Sequence, residues 1–184
     1  MTWTVTWSMS GRERVVCDSS PLIWLAKINR LSVLRQLYGE VVVPRRVWVE
    51  VSSGGYADSL LIREASEEGW IRVSEVEEGG ASDLVKVSGI HLGEAEAVFL
   101  ARRLEALFVV DDREGSATAR VFGVRCLGTV GVLLLGLAEG LLGLGEFVEC
   151  LDVLIGLGFR LSVEVYRKAL AEARRIAGDV AGEG

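Results

Sequence analysis

The apolar residues of this chain fall into short runs, two of them broken by a single arginine, separated by longer stretches in which they recur every three or four positions. The runs are VVC within residues 14–18, VVV at 41–43, WIRV at 70–73, LFVV at 107–110 and VRCL at 124–127. Runs this short, apolar on consecutive positions rather than alternate ones, predict strands covered on both faces, as in a parallel sheet. The stretches between them predict helices. Ser19, Ser20 and Pro21 open one, with Leu22, Leu25, Ala26 and Ile28 on its inner side, and 31–37 forms a second. Pro44 starts another, through Val47, Trp48, Glu50 and Val51 to a turn at 52–55. Residues 57–68, 93–104, 113–122 and 163–176 complete the set, while 75–82, acidic and glycine-rich, reads as a solvated loop.

The order of these elements, strands alternating with helices, predicts an α/β fold with a central parallel sheet and helices on both faces. The most apolar stretch, 127–144, approaches membrane-spanning length but contains Glu139 and five glycines. It reads as a buried helix, a glycine break and a second segment, so no membrane is expected. Residues 14–177 form one domain, 1–13 an extension carrying Trp3 and Trp7 without the pattern of a signal peptide, and 178–184 a frayed tail.

Composition changes the picture in three ways. Half of the 184 residues are hydrophobic, which excludes general disorder. The 20 basic and 26 acidic residues leave a net charge of −6, so a nucleic-acid partner requires a local basic patch. Arg45, Arg46, Arg113 and the pair Arg102–Arg103 are the candidates. Three cysteines without a CxxC spacing indicate a reduced, cytoplasmic setting, and a single histidine, His91, argues against a histidine-based zinc site or a Ser-His-Asp triad. Asn29 and Gln36 are the sole side-chain amides, a weak sign of heat adaptation.

Carboxylates are the remaining chemistry. In open parallel sheets function collects at the carboxyl ends of strands. Asp18 follows the first strand, and Asp111 and Asp112 follow LFVV. Any one of them read alone is an ordinary helix cap. Glu50 adds weight because it interrupts the apolar VWVEV, although a side chain at a helix end can also snorkel to water. In GEAEAVFLARRL, Glu94 lies in line with the small stripe Ala97, Val98 and Ala101 and is expected to point inward. Glu96 lies in line with Leu100 and Arg103 and is expected at the periphery. Converging carboxylates without His or Cys favour hard cations, Mg2+ or Mn2+. Such a site activates water and holds phosphate oxygens, which makes phosphodiester hydrolysis the natural reaction.

The segments VVCDSSPLIWLAKI, VVVPRRVWVEV, GEAEAVFLA, LFVVDDREGSATARVFGV and GTVGVLLLGLAEGLL, in this order and spacing, resemble the PIN-domain ribonucleases, the superfamily of VapC-type toxins. GFRLSVEVYRKAL is similar to an uncharacterised prokaryotic PIN-like subgroup. The resemblance runs from about residue 14 to about residue 171. It implies a three-layer α/β/α sandwich and a metal-dependent endoribonuclease with acids at Asp18, Glu50, Glu94 and Asp111. It implies Asp112 as an additional ligand or an outer acid, and Ser20 as a polar partner near Asp18. The third acid of the family is often Asp; here it is Glu94, with Glu96 close by as a rival. Many relatives are homodimers inhibited by a cognate antitoxin, which makes a second copy and an antitoxin the implied partners besides RNA.

Two other folds with acids at strand ends fit poorly. A receiver domain wants paired acids near its first strand, and a haloacid-dehalogenase phosphatase wants DxD where this chain has Asp18-Ser19-Ser20. The serious alternative is a non-catalytic RNA- or protein-binding module on the same fold.

Overall fold

The computed structural model describes residues 13–182, so Trp3, Trp7 and the last two residues lie outside the described part. All five apolar runs form strands: β1 (Val15–Cys17), β2 (Val41–Pro44), β3 (Ile71–Ser74), β4 (Leu107–Val109) and β5 (Cys126–Leu127). Every neighbouring pair is parallel, in the order β3-β2-β1-β4-β5. β1 therefore lies at the centre, aligned on β4 with Val16 opposite Phe108 and on β2 with Val16 opposite Val42. The chain leaves β1 toward β2 and β3, then returns on the other side for β4 and β5. The gap between the ends of β1 and β4 is thus the switch point at which open α/β sheets place their sites.

Ten helices connect and flank the strands: α1 (Ser19–Lys27), α2 (Ser32–Tyr38), α3 (Arg45–Ser52), α4 (Ala57–Glu67), α5 (Glu78–Ser88), α6 (Leu92–Leu104), α7 (Arg113–Val121), α8 (Thr129–Ala138), α9 (Leu144–Gly156) and α10 (Val163–Gly182). Alternate strand residues feed two separate cores. Val15, Cys17, Val41, Val43, Ile71, Leu107 and Val109 pack with α1–α4 and α8–α10. Val16, Phe108 and Val110 pack with α5, α6 and α7. This is the three-layer α/β/α sandwich. The stretch 127–144 divides as expected: α8 is buried along nearly its whole length, and the chain breaks before α9. Among the described residues no helix is long and apolar enough to cross a membrane.

Two expectations need correction. Residues 75–82 are not a loop throughout, because α5 begins at Glu78. Its two glycines are poor helix formers, yet a Cβ on Gly80 would stand 2.1 Å from the Phe99 ring of α6. The missing side chain lets α5 press onto α6 and bury Ala81 and Leu84, so packing overrides propensity. At the other end α10 continues to Gly182, past Gly178 where fraying was expected. Ala169 and Ala173 anchor the helix in the core, and Arg175 bonds to both Glu172 and Asp179 on its outer side.

Candidate active site

β1 ends at Cys17, and the next amide, that of Asp18, still donates to the Val109 carbonyl at 2.9 Å. This bond extends the β1–β4 pairing by one residue and fixes Asp18 at the switch point. Asp18 stands at the N-cap of α1, but its side chain makes no capping bond to that helix. It is 5 % exposed. Burial, reinforced by the charges of Glu94, Glu50 and Asp112, pushes its carboxyl up to about 7, against the opposing influence of the Ser19 amide.

Glu50 lies on α3 and is exposed, yet its charge reaches Asp18. Glu94 is in the first turn of α6, where it accepts a bond from the His91 amide at 3.1 Å. Burial raises its pKa, as do the Asp112 and Glu114 charges, while the His91 amide opposes them. Asp112 caps α7 and accepts from the Gly115 amide at 2.7 Å, the ordinary role of an acid after a strand. Its charge nonetheless bears on both Asp18 and Glu94.

Asp111 is held from three sides. The Thr129 amide donates to Oδ1 at 2.8 Å, the Thr129 hydroxyl to Oδ2 at 2.6 Å, and the Ser20 hydroxyl to Oδ2 at 3.4 Å. Burial raises its pKa, and these bonds, which favour the charged form, pull the other way. Burial, reinforced by the charges of Asp18 and Asp111, holds the Cys17 thiol well above the usual range. It is a core side chain and not a nucleophile.

A family model described as a PIN domain matches residues 14–175, most of the chain. The chain belongs to the PIN-domain family. PIN domains are generally nucleases, a class of hydrolase, and typically use divalent metal ions. No curated protein matches this chain.

In this PIN domain the geometry corrects two expectations. Ser20 is a partner of Asp111 rather than of Asp18. Glu96 is not peripheral: at 7 % exposure it is more buried than Glu94, and it accepts from Arg46 Nε at 2.7 Å. Helix α6 packs against the sheet and against α3, α5 and α7, and Glu96 meets Arg46 of α3, whose guanidinium compensates its charge. Glu94, two residues and about 200° around the helix from it, lies where its charge bears on Asp18 and where the Asp112 charge bears on it.

Thr129 is the residue that sequence reasoning missed. It stands two residues past β5, as Asp111 stands two past β4, and opens an otherwise apolar helix, so the strand-end rule applied to β5 would have found it. Gly128 before it is also part of the site, since a Cβ there would stand 3.1 Å from Asp111 Oδ1.

The donor set suits a hard cation: its oxygens come from carboxylates, and burial together with the charges of neighbouring carboxylates raises Asp18 and Glu94 in a way that a positive charge would relieve. As the side chains stand, no three His, Cys, Asp or Glu among the described residues converge as ligands around one point. Asp111 and Asp112 are turned instead to Thr129, Ser20 and Gly115. Beside the acids, on the β2–β3 side, an open cleft of about 600 Å³ runs between α3, the segment after β3 and the start of α6, with Glu50 on its wall.

Proposed function

We propose that this PIN domain is a divalent-metal-dependent endoribonuclease that hydrolyses phosphodiester bonds of RNA beside the ends of β1 and β4. The observation that carries this reading is Asp18, a buried carboxyl opposed by burial and by three further carboxylates at a sheet switch point. An arrangement so unfavourable without a cation is characteristic of functional sites. Asp18, Glu50, Glu94, Asp111 and Asp112 are the residues that would hold Mg2+ or Mn2+. When bound, the ion offsets their charge, activates water and polarises the phosphate.

The remaining roles belong to the protein's own groups. Thr129 and Ser20 hold the Asp111 carboxylate charged and oriented, as outer-shell donors do in metal sites. Asp18 must lose its proton before it can ligate. Glu50, exposed at the edge of the cleft, orients the attacking water by accepting its hydrogen bond. The same proposal includes a toxin role in a reduced cytoplasm, with a second copy of the chain and a cognate antitoxin as partners. Its three cysteines are free, as that setting requires.

A non-catalytic binding module is the second reading, favoured by the existing commitments of Asp111 and Asp112 to hydrogen bonds within the fold. The deciding experiment incubates purified wild type and Asp18→Asn with labelled single-stranded RNA, in Mn2+ and in EDTA. Cleavage by wild type in Mn2+ alone, absent from the variant, is expected. Equal cleavage by both proteins would sink the assignment, and no cleavage by either would favour the binding module.

A further inference from the structure

The cleft beside the acids is lined by groups that the proposed hydrolysis does not use. Arg45, Arg46, Glu75, Leu92 and Glu96 form its walls, and Glu50 joins it to the carboxylate cluster. The two arginines differ in kind. Arg46 is tied through Nε to Glu96, whose side chain is 9 % exposed, while the arginine itself is 52 % exposed. One edge of the guanidinium is therefore fixed on a buried carboxylate, which leaves its terminal N–H groups for a second acceptor. Arg45 is exposed and has no ion pair among the described residues. Both open α3, whose first turn carries no acid and whose cap, Pro44, offers no side chain to the free amides. An anion on this wall meets two cations and the positive end of a helix.

The pair is also oddly placed for a purely stabilising role. Burying Glu96 costs desolvation that the pair with Arg46 must offset, and an apolar residue of similar size would fill the space without that cost. The arrangement makes sense if the fixed object is Arg46.

We propose that this cleft holds the RNA backbone on one side of the scissile bond. Arg46 grips a phosphate, Arg45 adds a looser phosphate contact, and Glu96 is a positioning residue that acts through Arg46. The inference rests on the nuclease reading for the identity of the strand. It assigns the strand to the β2–β3 side of the acids. Glu75, on the same cleft, repels phosphate and sets the strand against α3.

The test separates binding from cleavage. A fluorescent single-stranded oligoribonucleotide is titrated into the Asp18→Asn protein in Ca2+, over a range of salt, with circular dichroism to establish folding. Arg46→Ala is expected to weaken binding roughly tenfold at low salt and to reduce the slope of log affinity against log salt by about one. Arg45→Ala weakens it less, and Glu75→Gln tightens it. Glu96→Gln weakens binding in the presence of Arg46 but has no further effect in the Arg46→Ala background, a coupling that general loss of structure would not give. Unchanged affinity and slope in Arg46→Ala, or an equal effect of Glu96→Gln in both backgrounds, overturns the proposal. Wild-type cleavage is measured alongside. Cleavage with an indifferent Arg46 refutes only the cleft assignment, whereas binding through Arg46 without cleavage refutes only the nuclease reading.

Discussion

Asp18 stands where backbone geometry and charge disagree. Its amide completes the β1–β4 pairing, which forces its carboxyl into a buried position among other acids. The folded protein keeps the Asp18 proton up to about pH 7, whereas the unfolded chain releases it near 3.8. Between those values the folded state binds more protons, so the contribution of this group to stability is full below about pH 4 and is lost as pH rises through 7. Metal-free protein should therefore melt at a lower temperature at pH 8 than at pH 5. Asp18→Asn should raise the melting temperature at pH 8 by several degrees, roughly 1–3 kcal/mol. Calorimetry in EDTA checks both, and a variant that melts lower at pH 8 would contradict the picture. Thr129→Val tests the other acid. It removes the hydroxyl bond to Asp111 and leaves the amide bond. The expected result is a loss of about 10- to 100-fold in nuclease activity, partly recovered at high Mn2+ in a metal titration. Asp18 and Asp111 were legible in the sequence because each directly follows an apolar run. Thr129 was not, because a hydroxyl after a strand is common and only its contact with Asp111 distinguishes it.

Helices α5 and α6 illustrate how far an element can be read alone. The 93–104 stretch announces its helix by pattern, and the structure starts it one residue earlier, at Leu92. Glu78–Ser88 announces nothing, since its glycines and acids belong equally to a loop, and its helix exists because Gly80 admits the Phe99 ring. Gly80→Ala would bring a methyl group into that ring and should cost about 1–3 kcal/mol by urea unfolding, even though alanine is the better helix former. Phe99→Leu in the same chain should restore part of the loss; failure to do so would mean that the close approach is not what couples the helices. The orientation of α6 likewise escaped its sequence. A single buried face was assumed, which placed Glu94 inward and Glu96 outward. Helices α3, α5 and α7 cover α6 besides the sheet, and the contact with α3 buries Glu96 against Arg46.

For the whole molecule, net charge and site charge are different quantities. The chain carries six excess negative charges, and at the switch point the charges of Glu50, Glu94 and Asp112 bear on the buried Asp18. Divalent cations that bind there should raise the melting temperature at pH 8 by mass action and much less at pH 5, where Asp18 is protonated. A thermal-shift series in Mg2+ and Mn2+ at the two pH values checks this, and equal shifts at both would place the ions elsewhere. The sequence by itself determined the strands, the parallel sheet, the layering and the acids at the strand ends. These follow from local pattern, because a central strand buried on both faces must be apolar, outer strands admit single exposed arginines such as Arg72, and the chain places acids where it leaves the core. Tertiary structure alone decided which acid has which partner: Thr129 and Ser20 on Asp111, Arg46 on Glu96, Glu94 toward Asp18. Such pairings join residues 18, 50 and 91 positions apart and depend on the angles at which elements pack. No periodicity within a single element encodes those angles.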